Sequence, residues 1–126
     1  MILDTCALLW LASGDRSRLS PKTLARIDKA MTVFVVAISG FEVSIKHKAG
    51  NLYLPVASQE WFDAILPFHQ IDIIDLDLNM CIRATELPPI HKDPCDRLII
   101  AAALNRDLPV VTADRRFADY GVTVWV

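Results

Sequence analysis

Short runs of β-branched and other apolar residues occur at Met1–Leu3, Val33–Ile38, Ile71–Ile74 and Val110–Thr112, with Val122–Val126 as a further terminal run. Each is too short for a helix and shows little alternation, the pattern of strands covered on both faces. The stretches between them read as helices. Ser20-Pro21 predicts a helix start, with Ser as N-cap and Pro at the first helical position, and Leu24, Ile27 and Met31 follow at helical spacing. Ser39-Gly40-Phe41-Glu42 reads as a capping box opening a second helix that runs to Gly50 as its C′ residue. Asp93-Pro94-Cys95-Asp96 opens a third, whose body Leu98–Leu104 is apolar nearly all round and therefore must be buried. Shorter helices are predicted near Ala7–Leu11, Ser58–Leu66 and Asn79–Glu86. Strands alternating with helices predict an α/β sandwich around a mostly parallel sheet. No repeat, low-complexity tract or linker divides residues 1–126, which read as a single domain.

Composition narrows the class. With 53% apolar residues, 22% charged residues and a net charge of −2, the chain has the make-up of a folded globule and not of a disordered one. It holds no run of roughly 18 uncharged apolar residues that would span a membrane, and Met1-Ile2-Leu3 meets Asp4 at once, without a signal-peptide pattern, so a cytoplasmic protein is expected. Cys6, Cys81 and Cys95 are odd in number, lack CxxC spacing and have apolar neighbours, which predicts reduced core thiols. Of 15 acids, 12 are Asp, a residue suited to turns, caps and ligation more than to helix surfaces. The 13 Lys and Arg do not outnumber them, so any nucleic-acid binding must be local.

In parallel sheets, sites form beyond the carboxyl ends of the strands. Four acids belong there. Asp4 follows the first strand, Glu42 lies in the first turn after Val33–Ile38, Asp96 in the first turn of the buried helix, and Asp114 two residues after Val110–Thr112. Carboxylates gathered at one sheet edge repel unless cations join them, and hard oxygen donors suit Mg²⁺ or Mn²⁺. Each has a plainer reading beside this one: Glu42 as a capping-box partner of Ser39 and of Lys46, Asp114 as a turn residue, Asp96 at a helix dipole, Asp4 as the cap of a short helix. Asp93 reads as an N-cap. His91 either meets a phosphate or holds its loop. His47 and His69 read as surface residues, the Asp72, Asp75 and Asp77 series as a solvated edge, and Trp10, Trp61 and Trp125 as core or interface.

These blocks together resemble the PIN-domain ribonucleases of the VapC type, the toxin halves of toxin-antitoxin pairs. Leu3-Asp4-Thr5 through Trp10 is similar to an LDTxxLLW start, Phe41-Glu42 through Lys46 to WExxIK, His91-Lys92-Asp93-Pro94-Cys95-Asp96-Arg97-Leu98 to HRDPFDRL, and Val111-Thr112-Ala113-Asp114 with Phe117 to LVTxDxxF. Phe41 replaces a usual Trp and Cys95 a usual Phe; neither removes a carboxylate. The resemblance implies a PIN-like three-layer sandwich in which Asp4, Glu42, Asp96 and Asp114 bind Mg²⁺ or Mn²⁺, with Asp93 beside them or as an alternative ligand. It implies an RNA substrate held by Lys46, His91, Arg97, Arg115 and Arg116, a cognate antitoxin and a homodimer. Trp10, Leu11, Phe34, Trp61 and Phe62 are the apolar residues offered for that contact. An alternative from another class is a catalytically weak PIN-like binding module whose acids meet a basic partner; a phosphoaspartyl hydrolase is disfavoured because Cys6 stands where that class needs a second Asp. Repulsion among the acids leads to one further expectation, that Asp114→Asn stabilises the metal-free chain.

Overall fold

A computed structural model describes residues 1–126. The chain runs β1 (Ile2–Leu3), α1 (Thr5–Ser13), α2 (Pro21–Lys29), β2 (Val33–Val36), α3 (Ile38–Lys48), α4 (Ser58–Phe68), β3 (Ile71–Ile74), α5 (Leu78–Glu86), α6 (Pro94–Arg106), β4 (Val110–Val111) and β5 (Val124–Trp125). A 3-10 helix, Arg115–Tyr120, links β4 to β5. The five strands form one parallel sheet in the order β3-β2-β1-β4-β5. Its middle strand, β1, pairs Ile2 with Phe34 on one side and with Val110 on the other.

Period-two alternation divides the strands between two cores. Ile2, Val36, Ile74 and Val110 point to one face, where Ile99, Ile100, Ala103, Met80 and Phe117 cover them. Leu3, Val35, Ile71 and Val111 point to the other, against Ala7, Leu8, Val43 and Trp61. Both faces of the inner strands β1 and β4 are dry, hence their unbroken apolar runs in the sequence, while the edge strand β3 exposes Asp72 and Ile73. Helix α6 is buried from Ile99 to Ala103 because the sheet and its helical neighbours α3 and α5 enclose it.

Local signals place most helix starts. The Ser20 hydroxyl caps α2 by accepting the Thr23 N–H at 3.1 Å, with Pro21 at the first position. Several expectations fail at the boundaries. Met31 lies beyond α2 and is fully exposed. The strand ends at Val36, and α3 already begins at Ile38, so Ser39 is inside the helix and not its cap. Ser39 is buried, its hydroxyl 2.9 Å from that of Thr5. This contact joins the first turns of α1 and α3, so tertiary packing overrides the capping-box pattern. Gly50 does close this segment, at φ 79 with its N–H on the His47 carbonyl. The cysteines are free, but Cys6 and Cys81 are exposed and Cys95 half-buried, so none is a core thiol. Cys6 and Cys95 lie instead near the acids at the starts of α1 and α6.

Candidate functional site

The ends of β1 and β4 and the starts of α1, α3 and α6 bring the acids to one edge of the sheet. Asp4 leaves β1 and caps α1, its Oδ1 accepting the Ala7 N–H at 2.8 Å. Only 7% of Asp4 is exposed. Burial pushes its carboxyl above the ordinary range, Thr112 and the Ala7 N–H pull it partly back, and the charges of Glu42 and Asp114 push it up again. Glu42 stands on α3, 3.5 Å from Lys46 one turn on. Asp96 lies in the first turn of α6, where burial, then the neighbouring Asp93, Glu42 and Asp4, raise it to about 6 against the pull of His91.

His91 ties the acids together. It is buried, and its Nε2 lies 3.0 Å from Asp96 Oδ2 and 2.9 Å from Asp114 Oδ2. Its Nδ1 accepts the Asp93 N–H at 3.1 Å, so the ring proton is on Nε2, between the two carboxyls. Asp114 is also gripped by Arg116, through Nε to Oδ1 at 3.0 Å and Nη2 to Oδ2 at 2.7 Å. The hydrogen bond from Arg116 is the main force holding Asp114 down at about 2. Asp114 is therefore the best-compensated of the acids, which reverses the expectation that Asp114→Asn stabilises the metal-free chain.

The structure turns several expected phosphate ligands to other uses. Arg97 does not face the cleft: its guanidinium donates to the carbonyls of Ala84, Leu87, Pro88 and His91 at 2.6–2.9 Å. It brackets the loop that seats His91. His91 is itself turned to carboxylates and not to solvent, so of its two readings the loop-holding one fits. Tyr120, which no sequence signal marks, completes the bracket by accepting the His91 N–H and donating to Pro88, both at 2.7 Å. Arg116, which the resemblance offers as a phosphate ligand, clamps Asp114 instead, a role only its place two residues past Asp114 hints at. Arg115 is exposed. Asp93 caps α6 through the Cys95 N–H at 2.8 Å, but the backbone N–H of Asp93 goes to His91, not to Asp96.

Two groups present potential ligand atoms within 4.8 Å of one another: His91, Asp96 and Asp114, and Glu42, Asp93 and Cys95. Burial lifts the Cys95 thiol to about 11, which leaves carboxylate oxygens as the effective donors. Hard oxygens that raise one another's pKa fit a divalent cation, which would relieve their repulsion.

Fold and site together define an α/β protein with a carboxylate-lined cleft, able to hold a divalent cation, beyond the C-terminal edge of a parallel sheet. The PIN domain profile matches residues 1–122, and the chain belongs to the PIN-domain family. It is 28% identical over 130 residues to ribonuclease VapC22 of Mycobacterium tuberculosis, covering 99% of this chain and 98% of that one. In three dimensions it is similar to VapBC2 of Rickettsia felis bound to a promoter DNA fragment, with a TM-score of 0.69 at 16% identity over 98% of this chain and 97% of that one. It is also similar to a toxin-antitoxin complex from Klebsiella pneumoniae, with a TM-score of 0.64 at 22% identity over 93% and 89%. These likenesses bear out the PIN-like α/β sandwich read from the sequence. No helix is long and apolar enough to cross a membrane.

Proposed function

We propose that the chain is a metal-dependent endoribonuclease that cuts RNA phosphodiester bonds and acts as the toxin of a toxin-antitoxin pair. One observation carries the reading: acids from four separate elements meet where a buried histidine joins two of them. The ribonuclease relative supports the activity, and the toxin-antitoxin neighbours support a protein antitoxin as partner. Asp4, Glu42, Asp96 and Asp114 would hold Mg²⁺ or Mn²⁺, with Asp93 adjoining. When bound, the cation supplies a Lewis acid for the phosphate and an acidified water. His91 fixes the separation of Asp96 and Asp114, Arg116 orients Asp114, and the α1 cap orients Asp4. Lys46, offered by the sequence as a phosphate ligand, is turned to Glu42 at 3.5 Å.

Asp4→Asn should abolish Mn²⁺-dependent cleavage of single-stranded RNA, read on a gel, while the chain stays folded, because Asn remains a good N-cap but loses ligand charge. Retained cleavage removes Asp4 from the mechanism. Arg116 favours a second reading, a weakly catalytic module meeting an arginine-bearing partner, since a guanidinium already fits against Asp114. A wild-type chain that binds such a partner but never cuts RNA supports that reading.

A homodimer belongs to the same proposal. Of the residues the sequence suggested, Trp10, Leu11, Phe34 and Phe62 are partly exposed and Trp61 is buried, and Leu78 and Ile82, one turn apart on α5, add 76% and 49% exposed apolar surface. Light scattering should report twice the 14.1 kDa chain mass. A monomer at high micromolar concentration overturns the dimer.

A further inference from the structure

A cleft walled by acids repels the phosphates it must receive, and the cations nearest to it are already engaged. Lys46 faces Glu42, Arg116 clamps Asp114, and Arg97 is held by carbonyls. Phosphate binding has to come from elsewhere on a chain of net charge −2. The strongest positive run is Arg16–Lys29, which holds Arg16, Arg18, Lys22, Arg26 and Lys29 against a single acid, Asp28. Lys22, Arg26 and Lys29 are spaced four and three apart, so they share one face of α2. None of them is in an ion pair with a carboxylate.

The first turn of this face, at Thr23, meets the sheet edge that carries the acids, and the groove runs from there toward Met1 at the other end of β1. The Asp114 N–H donates to Thr112 Oγ1 at 3.0 Å, and the Thr112 N–H donates to the Trp125 carbonyl at 2.9 Å. The next carbonyl, that of Val126, accepts the Thr23 hydroxyl of α2 at 2.9 Å. Thr23, the neighbour of Lys22, is thus linked by hydrogen-bonded steps to the strand end that carries Asp114, and Arg26 and Lys29 extend away from it. The Arg26 guanidinium lies 4.2 Å from the Trp125 ring centroid, a stack that presets its orientation. Trp125, Arg26, Lys22, Lys29, Ala25 and Met1 line an open groove of about 540 Å³.

We infer that this groove is the track for the strand of RNA flanking the scissile phosphate, with Lys22, Arg26 and Lys29 on the backbone and Trp125 holding the Arg26 guanidinium in place. A file of cations is the electrostatic half of a single-strand binding surface, which grips without reading sequence. The inference rests on the ribonuclease reading for its substrate.

Two variants test it: Lys22→Gln/Arg26→Gln/Lys29→Gln, and the charge-keeping Lys22→Arg/Lys29→Arg, both checked for folding by circular dichroism melts. Fluorescence anisotropy with a labelled single-stranded RNA in EDTA measures binding without cleavage. The triple Gln variant should bind about tenfold more weakly at low salt, with a log-log salt slope smaller by about 2, while the Arg pair binds as wild type. In Mn²⁺ the triple variant should raise KM for a long RNA and leave kcat unchanged. Unchanged affinity and KM, or equal loss in the Arg pair, overturns the track. Salt-dependent binding through these residues by a wild type that never cuts RNA upholds the track and overturns the ribonuclease reading instead. A triple variant that keeps RNA but loses polyglutamate gives the face to an acidic protein and overturns the proposal.

Discussion

Asp96 and Asp114 both touch one ring nitrogen of His91, yet they titrate in opposite directions. Asp114 has a guanidinium on both oxygens and is held at about 2; Asp96 has burial and like charges and rises to about 6. Asp96 carries a raised folded-state pKa, so its contribution to stability is complete below the ordinary value of 3.8 and is lost as pH climbs through about 6. For Asp114 it is present above 3.8 and disappears as pH falls toward 2. Metal-free Asp96→Asn should therefore melt with a flatter pH profile between pH 4 and 7. It should gain about 1 kcal/mol over wild type at pH 7, after allowing for the carboxyl's partial exposure. Melts in EDTA across that range decide, and parallel profiles contradict the assignment. The four acids were legible in sequence because each follows a strand or opens a helix. The partners that set their charge were not: His91 reaches Asp96 and Asp114 only where Arg97 and Tyr120 seat its loop, and Arg116 folds back on Asp114 through the turn between them.

At the scale of elements, the apolar runs and the Ser20-Pro21 and Asp93-Pro94 starts identified strands and helices whose signals are local. Errors gathered where a distant partner decides. The Ser39 hydroxyl serves Thr5 and not a cap, and the cysteines are exposed or half-buried in a way that apolar neighbours in sequence do not reveal. The α5–α6 connection is the clearest case. Its carbonyls converge on Arg97, whose planar fork serves four acceptors that a single ammonium does not match. Arg97→Lys should cost about 2 kcal/mol in urea denaturation and displace the His91 loop. Were Arg97 a phosphate ligand instead, the lysine variant would keep its stability and change only KM.

Over the whole molecule, the proposed site couples cation binding to folding. An unfolded chain disperses Asp4, Glu42, Asp96 and Asp114, so a cation held by them would bind the folded form selectively. Stability should rise by about 2.7 kcal/mol at a hundred times the dissociation constant. Thermal melts with Mn²⁺ and with EDTA measure this, and an equal gain in Asp96→Asn excludes that carboxyl from the site. The sheet order has another consequence, for the growing chain. The middle strand is made first, yet its partner β4 begins at Val110, so β1 stays half-paired through most of synthesis. Asp114 arrives later still, with Thr112 and Phe117 beside it. A nascent chain on a ribosome therefore has three of its four acids exposed but no finished cleft. The proposed site is therefore completed only once β4 has paired with β1 and the turn at Arg115–Tyr120 has formed.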